Sequence, residues 1–193
     1  MLKSLEIDEI RNLYHTRIIK DFPRFERRPF RMMKTMHKNG KYKCLVLEEE
    51  NRVLAYAAFI YDEEISSVLL DYLAVDEKCR GTGVGSRFMT SIQEYWNEKS
   101  GIIIECETPD TAKTENEMAL RKRRIDFYIR NGAENTAVRW RLFGVHYTVL
   151  WLRAQQDYTQ IDVAGDLKRL YSFSVPSALR PLSIRMMTRQ TKA

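Results

Sequence analysis

Apolar residues recur three or four apart between Ile7 and Asp21, at Ile10, Leu13, Tyr14, Ile18 and Ile19 with charges between them, and this spacing predicts an amphipathic helix. Asp21-Phe22-Pro23 ends it, Pro29 opens a second helical stretch through Phe30, Met32, Met33 and Met36, and Asn39-Gly40 stops that one. The pattern then changes to strands at Tyr42 to Leu47, Val53 to Tyr61 and Ser67 to Val75, with turns at Glu50-Asn51 and around Asp62 to Glu64. Connections this short predict antiparallel neighbours. A glycine-rich turn follows, after which Val84, Phe88, Met89, Ile92 and Trp96 mark one face of a third helix ending at Ser100-Gly101. Gly101 to Cys106 reads as a short apolar strand, and a helix crossing between it and the strand ending at Val75 predicts that these two run parallel.

Thr114 followed by Glu117 has the spacing of a capping box, and Gly132 sits where a helix closes in left-handed geometry, so a helix carrying Arg121 to Arg130 is expected between them. Ala137 to Phe143 and Val145 to Leu152 read as a closing hairpin around Phe143-Gly144. Residues 153–193 are basic and periodic only in patches. The expected organisation is one domain over residues 1–152 and a basic C-terminal extension over 153–193, docked or in part mobile, without internal repeats.

Composition narrows the class. A chain of 193 residues, 44% hydrophobic, buries one substantial core. No apolar run reaches the roughly 18 residues of a membrane-spanning helix, and Met1 to Arg11 lacks the layout of a signal peptide, so no membrane association is expected. Cys44, Cys79 and Cys106 form no CxxC pair, and His15, His37 and His146 have no metal-ligand spacing; a reducing cytoplasm and no metal are expected. The net charge of +6 and pI near 9.2 favour a polyanionic ligand without choosing among nucleic acid, membrane surface and nucleotide cofactor, although no nucleic-acid motif is present.

The most informative stretch runs from Leu73 to Ser86: strand, glycine-rich turn, helix start. Glycines let backbone N–H groups approach phosphate oxygens, and a helix N-terminus adds partial positive charge, so the turn is suited to a pyrophosphate. The Walker pattern fails because no Lys follows Gly85. The dinucleotide fingerprint GxGxxG uses Gly81 and Gly83 but finds Ser86 at its third place, even though Glu105 falls about 20 residues downstream as that fingerprint asks. The three antiparallel strands before the turn also depart from the dinucleotide fold.

Arg80-Gly81-Thr82-Gly83-Val84-Gly85 resembles the [RQ]xxGx[GA] loop of the GCN5-related N-acetyltransferases (GNAT), and Leu70 to Val75 resembles the strand before it. Phe127-Tyr128-Ile129-Arg130-Asn131-Gly132-Ala133 is similar to the family's LYxxxGF segment, with Ala133 in place of the aromatic. The resemblance covers about Leu2 to Leu152. It implies an α/β (α+β) fold with a mixed, mostly antiparallel central sheet flanked by helices and with splayed parallel strands at the cofactor site. It also implies an N-acetyltransferase using acetyl-CoA as cosubstrate and an amine-containing acceptor as partner, with a homodimer left open. A non-catalytic acyl-CoA-binding module and, behind it, a dinucleotide-binding protein are the alternatives.

In that resemblance, backbone groups of Leu73, Ala74 and Val75 pair with the acetyl and pantetheine groups, and Arg80, Gly81, Thr82, Gly83, Val84, Gly85 and Ser86 surround the diphosphate. Arg80 either contacts phosphate or stabilises the turn. Tyr128 matches the tyrosine that protonates the leaving thiolate, and Glu105 the position of a glutamate base, with Glu107 on the same strand face as the alternative. Cys106, on an apolar strand with no histidine nearby, reads as core. Arg121-Lys122-Arg123-Arg124 reads as a solvated helix face, one member of which meets a phosphate in the alternative. Asp21 to Glu26 reads as an acceptor site for a cationic amine or as a helix-helix corner.

Overall fold

The first predicted helix forms with a change of pitch in its middle. α1 (Ile7–Leu13) opens with the Glu9 carboxylate accepting the Glu6 N–H at 2.9 Å, widens into a π turn (Tyr14–Ile18), and closes as α2 (Ile19–Asp21). The wider turn brings Ile18, five residues after Leu13, back onto the face buried by Ile10 and Leu13, and leaves Ile19 exposed. Pro29 then caps α3 (Phe30–Lys38), which buries Met33 and Met36. The structure, a computed structural model, describes residues 1–142, 144–154, 161–175 and 184–188, the last as backbone.

Two units divide the chain, Met1–Glu64 with Leu70–Ile92 and Ile65–Leu69 with Gln93–Ala193. The strands of the first follow the order β1 (Leu2–Ser4), β2 (Tyr42–Glu49), β3 (Arg52–Ile60) and β4 (Ser67–Val75), the last of which begins in the second unit. β1 is too short to show a period in the sequence. It pairs antiparallel with β2, Leu2 opposite Leu47. β2 and β3 pair antiparallel around Glu50 and Asn51, both at positive φ as a tight hairpin requires, with an irregularity at Leu47/Glu48. Val46, Tyr56, Phe59 and Ile60 are buried.

Buried polar groups tie the loop after α2 to β4. Arg28 forks onto Asp71 at 3.1 and 3.3 Å, Tyr42 donates its hydroxyl to the same carboxylate at 2.9 Å, and the Arg28 N–H donates to Tyr72 at 2.6 Å.

In the second unit the strand order is β4, β5 (Gly101–Glu107), β7 (Val145–Arg153), β6 (Glu134–Leu142) and β8 (Ile184–Thr188). β4 and β5 run parallel, as the crossover predicts, and the remaining pairs are antiparallel. Gly101 is fixed by packing, since a Cβ there would stand 2.5 Å from the Leu152 carbonyl oxygen and from the Trp151 ring. Of the predicted hairpin turn, Gly144 has φ +88 and Phe143 lies outside the described residues. Among the described residues no helix is long and apolar enough to cross a membrane.

Within the extension expected at 153–193, residues 155–160, 176–183 and 189–193 lie outside the described residues. The described part contains α6 (Val163–Ser174), capped by Asp162, whose carboxylate accepts the Gly165 N–H at 2.8 Å. Its face of Val163, Leu167, Leu170 and Ser174 is buried at helical spacing. Asp166 on that face is 1% exposed and accepts hydrogen bonds from Ser66 (2.8 Å), Ser67 and Arg169. Desolvation pushes its carboxyl up, but the bonds from Ser67, Arg169 and Ser66 together outweigh it and hold the group below the usual aspartate range.

Asp166→Ala is therefore expected to cost about 1–3 kcal/mol, measured by urea unfolding at pH 7, because it leaves the buried Ser67 hydroxyl and the half-buried Ser66 hydroxyl without their acceptor. A carboxyl held down in the folded state stabilises fully above its unfolded value of about 4 and loses that contribution as pH falls through the folded value. The difference between wild type and variant should accordingly shrink only below about pH 4.

Candidate active site

The glycine-rich turn grows out of the end of β4, whose first half is buried while Leu73, Ala74 and Val75 are half-exposed. Asp76 receives the Lys78 N–H at 3.0 Å and fixes a short 3-10 turn (Glu77–Cys79). Arg80 then donates its Nε to the Val75 carbonyl at 3.3 Å, a bond that stabilises the turn. The Thr82 hydroxyl closes the loop onto the Cys79 carbonyl at 2.8 Å.

Gly81 and Gly83 adopt φ +79 and +86, and the space where a Cβ would stand at either is open. Their glycine identity is thus demanded by backbone conformation and not by neighbours. Past them, α4 (Val84–Tyr95) begins with the Arg87 N–H bonded to the Gly83 carbonyl, so the N–H groups of Val84, Gly85 and Ser86 precede the first helical bond. An exposed loop followed by free N–H groups on a 12-residue helix fits a diphosphate.

Tyr128 and Glu105 lie in the second unit, where α5 (Glu115–Arg130) packs on β5. Thr114 caps α5, accepting the Glu117 N–H at 3.2 Å, but the Glu117 carboxylate turns to the Lys113 N–H instead of closing the box on Thr114. Gly132 has φ +90, as its place after the helix predicts. The buried face of α5 carries Arg121 and Tyr128, and Ile129, the neighbour the sequence groups with Tyr128, is exposed.

Arg121 corrects the reading of a solvated basic face. It is 8% exposed and donates to the Thr108 carbonyl (2.9 Å), Thr111 (3.0 Å), Glu107 (3.2 Å) and Glu117 (2.6 Å). Lys122, Arg123 and Arg124 are exposed as expected. The sequence held a signal for this, because Glu117 stands four residues ahead of Arg121 in the favourable order for a helical pair. Glu107 is therefore engaged in a structural ion pair.

Burial raises the Tyr128 phenol well above the usual tyrosine value; the Cys106 thiol beside it adds to the rise and Arg124 opposes it. Tyr128 thus stays protonated at neutral pH. Cys106 is fully buried, and its thiol is pushed up to about 12 mainly by desolvation, which agrees with the core reading.

Consecutive strand residues point to opposite faces, so Glu105 lies on the other side of β5 from Cys106 and Tyr128. There it accepts the hydroxyl of Tyr171, from α6, at 2.5 Å. The sequence reading assigned no role to Tyr171; the pattern that marks its helix is the Asp162 cap followed by Val163, Leu167, Leu170 and Ser174.

In the corner from Asp21 to Glu26, the Asp21 carboxylate accepts the Tyr56 hydroxyl at 2.9 Å and lies 3.5 Å from Arg17, while Phe25 is 80% exposed. Asp21 is already paired.

Residues 40–132 match the acetyltransferase (GNAT) domain family. Among solved structures, the chain is similar to a putative GNAT acetyltransferase from Bacteroides thetaiotaomicron (15% identity, TM-score 0.66, covering 91% of this chain and 99% of that one). It is also similar to the ribosomal-protein-S18-alanine N-acetyltransferase of Escherichia coli (16%, TM-score 0.57, 83% and 97%). A third is a Bacillus subtilis acetyltransferase in complex with CoA (13%, TM-score 0.53, 79% and 97%). No curated protein matches the sequence. Residues 40–132 carry an acetyltransferase (GNAT) domain, and the fold is the one these acyltransferases share.

Gly83→Val is expected to weaken CoA binding at least about tenfold by calorimetry while the fold survives, because a β-branched residue cannot hold φ +86 without about 1–2 kcal/mol of strain and the loop must rearrange. An unchanged affinity in a folded variant would make the loop a structural turn only.

Proposed function

We propose that the protein transfers the acetyl group of acetyl-CoA directly to the nitrogen of an amine acceptor in a reducing cytoplasm. The observation that carries this reading is the loop from Arg80 to Ser86, with two positive-φ glycines open to solvent in front of the α4 N-terminus. Its N–H groups hold the diphosphate, and the half-exposed backbone of Leu73, Ala74 and Val75 receives the acetyl and pantetheine amides.

In the reaction the acceptor nitrogen attacks the thioester carbonyl carbon, a C–N bond forms and the C–S bond breaks. Glu105 takes the proton that the nitrogen loses, and Tyr128 gives a proton to the departing CoA sulfur. Direct transfer is favoured over an acetylated enzyme because Cys106, with its thiol pushed up to about 12, offers almost no thiolate at neutral pH. Free cysteines at 44, 79 and 106 support the compartment.

The assignment is tested by thermal unfolding. Acetyl-CoA should raise the melting temperature by several degrees at about 100 times its Kd, whereas NADH and ATP should raise it far less. Equal stabilisation by NADH would overturn the donor. Thiol release from acetyl-CoA with spermidine, an aminoglycoside, a peptide with a free N-terminus and a lysine peptide then identifies the acceptor class; binding without release for any of them would point to a non-catalytic acyl-CoA module.

Tyr128→Phe keeps the ring and removes the hydroxyl. It should slow the single-turnover rate about tenfold to a thousandfold and leave CoA affinity nearly unchanged. An unaltered rate would show that solvent protonates the thiolate.

A further inference from the structure

The strongest unexplained feature is the bond between residues 66 apart that joins α6 to β5. Tyr171 is 4% exposed, and its hydroxyl reaches the Glu105 Oε2 at 2.5 Å, within the short range of an O–H donating to an ionised carboxylate. Two further contacts fix where that hydroxyl stands. The Tyr171 ring packs on the fully buried Trp140 ring of β6 at 5.2 Å and 38°. One and a half turns earlier on the same helix, Asp166 locks α6 to Ser66 and Ser67 at the start of β4. Neither contact lets the hydroxyl swing away without disturbing a buried group.

Other titratable and charged groups stand on the surrounding elements. Glu107, on the same face of β5, pairs with Arg121; Asp166 pairs with Arg169; Lys168 is exposed on α6. On β7 the residue opposite Glu105 is Val149, flanked on that face by Tyr147 and Trp151. Tyr171 is a hydrogen-bond donor that α6 brings to this carboxylate, and it comes from outside residues 40–132, which match the acetyltransferase (GNAT) domain.

We propose that Tyr171 is a positioning residue for the acetyl-transfer reaction, holding one oxygen of Glu105 through its hydroxyl so that the carboxylate stays ionised and keeps a fixed orientation. The inference rests on Glu105 acting as the base. It gives the C-terminal segment a part in catalysis: α6 completes the base from the far side of β5.

The test uses the full chain and Tyr171→Phe, which preserves the ring packed on Trp140. Glutamate is labelled at the side-chain carboxyl carbon, and the Glu105 signal is assigned by its loss in Glu105→Gln. In Tyr171→Phe the Glu105 titration midpoint should move up by about one pH unit, because a hydrogen bond favouring the charged form is gone. The acid limb of kcat/KM, measured with acetyl-CoA and the most active of the four probe amines, should move with it. At a pH on that limb the variant should be about tenfold slower, and on the plateau within about threefold of wild type.

An unmoved midpoint overturns the proposal. A moved midpoint with an unmoved limb, in an enzyme that Glu105→Gln inactivates, leaves Glu105 as the base and removes Tyr171 from its control. If instead Glu105→Gln keeps the wild-type single-turnover rate and limb, the base assignment itself fails, and the hydrogen bond is left as a docking contact.

Discussion

Alternation along β5 is the constraint around which the second unit is organised. Seven residues, Gly101 to Glu107, must serve two faces at once. Cys106 belongs to the face that α5 covers, where apolar surroundings keep both the thiol and the Tyr128 phenol protonated. Glu105 belongs to the face that α6 covers, where it meets a hydroxyl. A single-residue slip in the pairing of β5 with β7 would exchange these environments, placing the carboxylate against α5 and the thiol under Tyr171. Gly101 is one of the features that prevents it, because the close approach of Leu152 and Trp151 leaves no room there for any other residue.

The buried charges follow the same logic. Arg121 and Asp166 each lie on the inner face of a helix, where an unpaired charge would cost several kcal/mol. Each is satisfied by groups distant in sequence: Arg121 by the end of β5 and the loop after it, Asp166 by the two serines that open β4. These contacts add direction to what is otherwise apolar packing. A leucine at either place would bury as well, but it would not specify which strand end the helix must meet.

What could be read from the chain was what is local. Strands β2 to β5, the parallel crossover, the caps of α3 and α5, and the turn from Arg80 to Ser86 all declare themselves within a dozen residues, since turn chemistry and side-chain period are short-range properties. The π turn at Tyr14–Ile18 escaped because a five-residue step between Leu13 and Ile18 looks like a lapse in a regular helix until burial shows that both face inward. β1 escaped because three residues carry no period. Arg121 was misread because its neighbours, Lys122 to Arg124, are solvated and a run of like charges hides the one that turns inward. The pairing of Tyr171 with Glu105 depends on docking an element 66 residues away, and no local pattern encodes that distance.

The glycines of the turn show why a functional loop is legible where a functional contact is not. Gly101 is required by what surrounds it, so its identity becomes intelligible only once the fold is known. Gly81 and Gly83 are required by their own φ, with open space around them. Among the described residues nothing stands within 4 Å of where a Cβ would be, and the chain gains no packing from exposing two glycines in a conformation other residues avoid. The entropy lost in ordering such a loop is offset by Asp76 and Thr82, which bond to Lys78 and Cys79 within it, and by Arg80, which ties it to the end of β4. A turn whose glycines are demanded by conformation and whose surroundings leave open space beside them is suited to a ligand. That is the physical content of the sequence signature, and it is why the loop proposed to hold the diphosphate stands out in the sequence while the pairing of Glu105 with Tyr171 does not.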